Sequence, residues 1–378
     1  MRRFHTARVF LISVVHLCHD IYSSFLAPLL PLLIDKLGFS YSLAGLLPLA
    51  QRLPSLLNPF IGIVADRAGI RYLIIAAPAI TAVSMSLLGM ASSYGVLVIL
   101  LLIMGIGSAF WHVPAPVMVK KVSGGQVGKG MSIYMVGGEA ARTLGPIAIL
   151  TAVSVWGLEG TYRLIPVGFL ASLALWLSVK DLQIGIHHPP QDVAQTTKTF
   201  TPFFLVIAAL LLFRACAKTA MTLFLPTFLT HQGSTLWSAG ISLSILQAAG
   251  AAGTLVAGWL SDRIGKNRVL YMTTFAGPVA VSLFLLSTGV LRVVFLIFSG
   301  IALFAATPVL LALVQEKGQE RPAFMNGIFM TINFIVSSLI AVFVGLLGDH
   351  FGLNTAFWIS GLLSIAAIPF VWLLARLS

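Results

Sequence analysis

Long apolar stretches alternate with short polar turns along the whole chain, and this alternation is the dominant pattern in the sequence. A helix needs roughly 20 mostly apolar residues to cross the hydrocarbon core of a bilayer. Reading between charges and turn residues, we predict twelve membrane-spanning helices in the sequence. These predicted spans are numbered 1 to 12 and cover residues 8–34, 41–65, 72–91, 94–119, 127–155, 162–178, 201–230, 235–260, 268–288, 290–314, 322–347 and 354–375.

The composition agrees with an integral membrane protein. Hydrophobic residues make up 58% of the chain and charged residues only 9%, whereas a soluble domain usually carries about 25% charged residues. The mean hydropathy is +0.99. Soluble enzymes and nucleic-acid-binding proteins are therefore excluded, although the net charge of +12 taken alone would suit a nucleic acid. Because the sequence shows no nucleophile motif, metal cluster or phosphate loop, we predict no enzymatic activity and no cofactor.

Lysine and arginine are distributed unevenly between the loops on the two sides of the membrane. With the N-terminus in the cytoplasm, 16 of the 23 basic residues fall in cytoplasmic segments, 3 in the opposite loops and 4 within spans. Cytoplasmic loops of membrane proteins carry an excess of Lys and Arg. We therefore predict that both termini are cytoplasmic.

A polar stretch near the middle of the chain divides the predicted spans six from six. We assign residues 1–179 to an N-terminal half, 180–200 to a cytoplasmic linker and 201–378 to a C-terminal half. The halves share the loop motif Gly-x-x-x-Asp-Arg-x-Gly, which begins at Gly62 and again at Gly258, 196 residues later. An internal duplication of a six-helix unit explains this spacing.

The Asp and Arg of each motif lie at the predicted cytoplasmic surface. There an Asp can meet a helix N-terminus or a basic neighbour through a bond that breaks and reforms. A generic charged turn is the alternative for one copy, but two copies in corresponding loops favour a shared role in gating. The predicted gating residues are Gly62, Asp66, Arg67, Gly69 and Arg71 in the first copy and Gly258, Asp262, Arg263 and Gly265 in the second.

The repeated loop resembles the signature loop of the major facilitator superfamily. That resemblance implies two six-helix halves around a central cavity, with a substrate site near the midplane. A narrower resemblance is to the fosmidomycin resistance exporters, and it implies proton-driven export across a bacterial inner membrane. The motifs that carry it are His16-x-x-x-Asp20, Trp111-His112, Ser123-Gly124-Gly125-x-x-Gly128, Val136-Gly137-Gly138 and Leu144-Gly145-Pro146.

The chain departs from the exporter pattern in spans 4 and 5. Val113-Pro114 follows the histidine of span 4 where the exporter group has Pro-Glu. Glu139 and Arg142 replace small polar residues of span 5. Substrate and coupling residues must therefore be sought among this chain's own ionisable groups.

Ionisable side chains inside membrane spans mark candidate sites, because each costs at least ~2.5–3.5 kcal/mol to bury there. Predicted spans 3, 6, 9 and 12 contain none. In the superfamily fold, these four helices lie outside the cavity against lipid. The ionisable residues of the other spans are His16, His19, Asp20, Arg52, His112, Glu139, Arg142, Arg214 and Lys218.

His16 and Asp20 lie four residues apart, on one face of span 1. A carboxyl shielded from water and a histidine can exchange protons near neutral pH, so we predict proton coupling at Asp20, His16 and Glu139. A polar pair that only fixes helix packing is the alternative. His16-x-x-His19-Asp20 also has metal-ligand spacing, but no ligand cluster accompanies it in the second half, and we predict no metal.

Basic residues outnumber acidic ones inside the spans, four against two. This excess suits an anionic substrate, although a basic side chain can also snorkel or pair with an acid across the bundle. Asn326 and Asn333 lie seven residues apart and so share a face of span 11. The predicted substrate-binding residues are Arg52, His112, Arg142, Arg214, Lys218, Asn326 and Asn333.

These features predict a monomeric transporter in the lipid bilayer that exports a small organic, anionic molecule in exchange for protons. Three alternatives remain on the same fold: proton-coupled uptake, a divalent-metal carrier, and a channel-like or sensor protein. A channel needs no alternating access, so the two gating loops argue against that last alternative.

Overall fold

The computed structural model describes residues 4–58, 70–180, 193–317 and 322–377. Every regular element within these ranges is a helix, and no strand occurs in them. Cys18 and Cys216 are free thiols. The prediction of an all-α fold is therefore confirmed for the described residues.

The chain divides into two compact units. Unit 1 consists of Met1–Phe39 and Leu47–Pro189, and unit 2 consists of Ser40–Leu46 and Pro190–Ser378. One boundary between the units falls within the predicted linker, but unit 2 also takes Ser40–Leu46 from the predicted N-terminal half. The predicted division into two halves therefore stays a prediction. Residues 181–192 of the linker lie outside the described part of the chain. A helix already begins at Val193, inside the predicted linker. It can start there because residues 193–201 contain neither proline nor glycine to interrupt it.

Predicted spans 1 and 4 are each built from two helices in the structure. In span 4 the break follows His112, where Pro114 has no backbone N–H to continue the helical hydrogen bonds. The helices of this half of the chain are α1 Thr6–Ser23, α2 Leu26–Leu37, α3 Tyr41–Arg52, α4 Ile70–Ser86, α5 Tyr94–His112, α6 Ala115–Val122, α7 Val127–Trp156 and α8 Ile165–Val179.

Predicted span 7 also changes its winding, because a π-helical turn at Ala220–Phe224 joins two α-helices. Spans 11 and 12 are separated at Gly352, whose φ of 77° is accessible to glycine at little cost. The helices of this half are α9 Val193–Thr219, α10 Leu225–His231, α11 Leu236–Ile264, α12 Lys266–Leu286, α13 Gly289–Lys317, α14 Pro322–Leu363 and α15 Ile368–Leu377.

Among the described residues, 9 helical segments are long and apolar enough to cross a membrane. One of them, Gly327–Leu377, has 51 residues and covers most of predicted span 11 and all of predicted span 12. Predicted span 2 continues into residues 59–69, which lie outside the described ranges. Helix α7 has 30 residues, but Glu139 and Arg142 lower its hydropathy. The total of twelve spans therefore stays a prediction.

Helices α1, α5 and α7 build the part of unit 1 that holds the candidate site. Val9 and Ile12 of α1, Trp111 of α5 and Tyr134 of α7 are all buried in one cluster. Helix association in lipid depends on close packing of small residues. Gly137 permits that approach, because a Cβ there would lie only 2.5 Å from the carbonyl oxygen of Ser13.

Candidate functional site

His16 and Asp20 of α1 form the centre of the candidate site in unit 1. The two side chains are one helical turn apart, and His16 Nε2 lies 3.2 Å from Asp20 Oδ2. Both residues are buried, with 4% and 7% of their surface exposed. A carboxylate in such surroundings needs partners, because an isolated buried charge is costly.

The tautomer of His16 is fixed by helix α7. Nδ1 of His16 lies 2.8 Å from the backbone carbonyl oxygen of Tyr134. A carbonyl oxygen only accepts hydrogen bonds, so Nδ1 carries the hydrogen and donates it. In the neutral ring, Nε2 therefore presents a lone pair to the carboxylate of Asp20.

Two features of α7 hold the His16 ring in this position. The ring of Tyr134 stacks on it, with centroids 4.0 Å apart and planes 11° apart. Gly138 leaves the space for it, since a Cβ at that position would lie 2.7 Å from Cε1 of His16. The orientation of His16 thus depends on the absence of a side chain one turn after Tyr134.

A third group approaches Asp20 from the end of α5. His112 Nε2 lies 3.4 Å from Asp20 Oδ1, and the side chain of His112 is 43% exposed. His112 is the last residue of α5, so the break before Pro114 places its ring beside α1. The carboxylate therefore has a buried histidine on one oxygen and an exposed histidine on the other.

His19 and Trp111 close the inner side of the site. His19 is fully buried and its Nε2 lies 3.9 Å from Asp20 Oδ1. Trp111 is also fully buried and stacks on His19, with ring centroids 5.3 Å apart. These apolar and aromatic surfaces leave His112 as the exposed side of the cluster.

The cluster has more hydrogen-bond acceptor atoms than donor hydrogens. His16 Nε2 and Asp20 Oδ1 are buried and have no hydrogen-bonding partner of good geometry among the described residues. The ligand atoms of His16, Asp20 and His112 all lie within 4.8 Å of one another. Facing lone pairs repel unless a cation is shared between them, and this cluster can share either a proton or a metal ion.

Glu139 and Arg142 lie further along α7 and contact each other. Arg142 Nη1 donates to Glu139 Oε1 at 2.8 Å, and the two side chains are 49% and 35% exposed. Arg52 in α3 is close enough for the charge of Arg142 to act on it. Two guanidinium groups and one carboxylate are thus gathered at this second position in unit 1.

Arg214 and Lys218 lie on one face of α9 but have different neighbours. Arg214 donates to the hydroxyl of Thr274 at 2.6 Å and to the carbonyl oxygen of Ala302 at 3.3 Å. Lys218 lies over the ring of Phe304, 4.4 Å from its centroid. Arg214 is therefore bound to α12 and α13, and Lys218 contacts an aromatic face of α13.

Span 11 carries the two predicted asparagines. The backbone carbonyl of Asn333 accepts a hydrogen bond of 2.7 Å from the hydroxyl of Ser337, and its side chain is half-buried. The side chain of Asn326 lies outside the part of the chain that the structure describes. Substrate contacts from both residues therefore stay predictions.

The two predicted gating loops are described to different extents. Gly62, Asp66, Arg67 and Gly69 of the first copy lie outside the described residues, whereas Arg71 donates to the carbonyl oxygen of Lys180 at 2.6 Å. The second copy is described completely. It ends α11 at Gly265, whose φ is 92°.

Within the second copy, Asp262 and Arg263 are both exposed at the end of α11. The guanidinium of Arg263 lies 3.9 Å from the ring centroid of Trp259, one turn earlier. A Cβ at Gly258 would meet no heavy atom within 4 Å. Close packing is therefore not the reason for glycine at that position in this structure.

Tyr134 and Trp111 orient and enclose the histidines, and neither contact was predicted from the sequence. Tyr134 fixes the tautomer of His16 through its backbone carbonyl oxygen. Because every residue type has a backbone carbonyl, the identity of residue 134 does not predict this contact. Trp111 precedes His112, but nothing in the sequence places its ring against His19. No local pattern could have indicated either contact.

Comparison with known proteins agrees with the helical architecture. The profile of the Major Facilitator Superfamily matches residues 12–341. Among solved structures, a bacterial homolog of the human lysosomal transporter Spinster, inward-facing and occupied, superimposes with a TM-score of 0.83 at 16% identity. The match covers 100% of this chain and 98% of that one, and it shows a shared fold.

Two curated relatives come from Escherichia coli strain K12. Fosmidomycin resistance protein is 25% identical over 374 residues, which is 96% of this chain and 91% of the relative. The 3-(3-hydroxy-phenyl)propionate transporter is 32% identical over 146 residues, 36% of this chain and 34% of the relative. With a family profile that extends over most of its length, the chain belongs to the Major Facilitator Superfamily, and its transport function follows from that membership.

Proposed function

We propose that the protein exports a small organic anion in exchange for protons, by alternating access. It acts as a monomer in a bacterial inner membrane, with both termini in the cytoplasm. The relative named for fosmidomycin resistance supports export, and the relative named for a propionate supports an anionic substrate. One observation carries the coupling role: His16 Nε2 and Asp20 Oδ2 face each other at 3.2 Å with lone pairs on both atoms.

A single shared proton removes the repulsion between those two atoms. With the proton present, one atom donates to the other in a charge-assisted hydrogen bond. When the proton leaves, His16 cannot turn Nδ1 toward the carboxylate without losing its bond to Tyr134. Deprotonation therefore favours a movement of α1 relative to α7, which links proton occupancy to helix position.

His112 supplies the exposed end of the proton path. Its ring is 43% exposed, and its Nε2 lies 3.4 Å from the other carboxylate oxygen of Asp20. A histidine can pass a proton from water to a carboxylate at neutral pH. We assign coupling to Asp20 and His16, and entry of the proton to His112.

The substrate anion is bound by the basic residues. Arg142 is half exposed and Arg52 is exposed nearby, so their guanidinium groups can bind a carboxylate or phosphonate through two parallel hydrogen bonds. Glu139 forms an ion pair with Arg142 when no substrate is bound. Protonation of Glu139 breaks this ion pair and leaves Arg142 to bind the anion. His112, Arg214, Lys218, Asn326 and Asn333 complete the proposed set of substrate contacts.

Vesicles of opposite orientation test both direction and coupling. Everted vesicles with an acidic interior should accumulate fosmidomycin or 3-(3-hydroxyphenyl)propionate, the compounds for which two relatives are named. A proton uncoupler should abolish the accumulation. An uptake symporter would instead accumulate the probe in right-side-out vesicles with an acidic exterior. A channel would equilibrate the probe without accumulation.

Asp20→Asn tests the proposed coupling residue. It should abolish gradient-driven accumulation while leaving exchange of labelled for unlabelled probe. Asp35→Asn is the matched control, because Asp35 is an exposed carboxylate of α2, and it should transport normally. Normal accumulation by Asp20→Asn would contradict the assignment.

A further inference from the structure

Contrary to the expectation from the sequence, we propose that His16, Asp20 and His112 also form a binding site for a divalent transition-metal ion of the zinc class, such as Zn²⁺ or Co²⁺. The inference goes beyond proton-coupled export and does not depend on it, since metal binding is measured without transport. It is carried by the positions of three ligand atoms and by the tautomer of one histidine.

The distances suit a tetrahedral ion. Ligand atoms roughly 2.0–2.2 Å from a tetrahedral metal lie about 3.3–3.6 Å from one another. His16 Nε2 lies 3.2 Å from one oxygen of Asp20, and His112 Nε2 lies 3.4 Å from the other. All three ligand atoms fall within 4.8 Å of one another, so a movement of roughly 1 Å brings them to the spacing that one tetrahedral ion requires.

The ligand atoms are also in the chemical state that a metal requires. Histidine binds zinc through a nitrogen without hydrogen, and its other nitrogen usually donates to a carbonyl or carboxylate. The bond from His16 Nδ1 to the carbonyl oxygen of Tyr134 has this geometry, at 2.8 Å. Nε2 is thereby left as the metal-binding atom, and it has no hydrogen-bonding partner of good geometry in the described part of the chain.

The donor set selects the class of metal. Two imidazoles with one carboxylate suit Zn²⁺, Co²⁺ or Ni²⁺, whereas Mg²⁺ and Ca²⁺ prefer oxygen ligands throughout. Two neutral histidines and one carboxylate leave a divalent ion with one net positive charge. Three protein ligands also leave a fourth position, which water or an anionic oxygen can fill.

The cluster has an entrance for a hydrated ion. His112 is 43% exposed, while His16 and Asp20 lie behind it and are almost completely buried. An ion can therefore be captured first by His112 and then bind the two inner ligands. A proton and a metal ion use the same lone pairs, so only one of them occupies the cluster at a time.

The test is a titration of metal-free protein, purified without a histidine tag, with Co²⁺ and then Zn²⁺. Co²⁺ should produce the strong visible absorption of a tetrahedral N/O site at one equivalent, and Zn²⁺ should displace it while Mg²⁺ should not. His112→Gln should weaken binding at least tenfold, and Asp20→Asn more strongly. His350→Gln, which changes an exposed histidine outside the cluster, should bind as the parent does.

His112→Gln is the variant that tests the metal site most clearly, because His112 is exposed and its replacement leaves no cavity in the core. A melting temperature equal to that of the parent protein confirms that the variant is folded. Absence of Co²⁺ and Zn²⁺ binding in the parent would overturn the proposal. So would equal affinity in His112→Gln and His350→Gln. Failure of proton-coupled transport with normal metal binding would instead contradict only the proposed export function.

Discussion

The contribution of the Glu139–Arg142 ion pair of α7 to stability depends on how deeply the pair is buried. Sequence position alone, near the middle of a predicted span, suggests a buried pair, and removing one partner of such a pair costs ~3–5 kcal/mol. In the structure the side chains are 35% and 49% exposed, with the ion pair at 2.8 Å. If Arg142 meets the substrate anion, this exposed surface faces a water-filled cavity, where screened pairs spaced three residues apart on a helix contribute only about 0.3–1 kcal/mol.

A double-mutant cycle with Glu139→Gln, Arg142→Gln and the double variant measures this interaction in detergent. We expect a coupling energy of at most about 1 kcal/mol, less than a tenfold change in the unfolding equilibrium. Lys129→Gln, an exposed charge change at the start of the same helix, serves as the control. A coupling energy of 3 kcal/mol or more would refute the reasoning from exposure.

Transport by the same variants separates a structural pair from a binding site. If Arg142 binds the substrate anion, the double variant should be stable but inactive. Glu139→Gln alone should bind the anion with a weaker dependence on pH, because the competing carboxylate is gone. Full transport by the double variant would show that the pair only neutralises itself.

Three further predictions concern packing, gating and topology. Gly138→Ala should displace the His16 ring, lower the free energy of unfolding by about 1–3 kcal/mol through overpacking and reduce proton-driven accumulation. Gly327→Ala is the control, because a Cβ there meets no heavy atom within 4 Å. It should change neither stability nor accumulation. Asp262→Asn should slow turnover with little change in substrate affinity, and an equal loss of both would indicate binding or misfolding instead. Cysteine at Ser93 should react with impermeant maleimide in intact cells, and cysteine at Gln191 only after the cells are opened; the reverse pattern would overturn the predicted orientation.

The helical architecture was predictable because each membrane span must satisfy its own backbone hydrogen bonds. Long apolar stretches therefore indicate helices directly. Breaks within spans were less predictable: Pro114 interrupts span 4 after His112, but Pro146 lies inside the continuous helix α7. Whether a proline ends a helix depends on the packing of neighbouring helices, which the sequence does not display.

The candidate site was predictable in part. The spacing of His16 and Asp20 placed them on one face of a helix, and their contact at 3.2 Å follows from that spacing. Their relation to His112, 92 residues after Asp20 in the chain, depends on how α5 packs beside α1. Arg214 and Lys218 show the same limit, since helical spacing fixed their shared face but not their separate partners.

Proton exchange on substrate binding, measured with a pH indicator in weakly buffered detergent solution, tests the proposed coupling role of His16 and Asp20. His16 and Asp20 are proposed to share the coupling proton, and anion export requires its exchange. Addition of fosmidomycin to the parent protein and to Asp35→Asn should therefore change the number of bound protons. Asp20→Asn should still bind the compound but exchange fewer protons than the parent, because only the contribution of Glu139 remains. Proton exchange of parental size in Asp20→Asn would show that Asp20 does not carry the coupling proton.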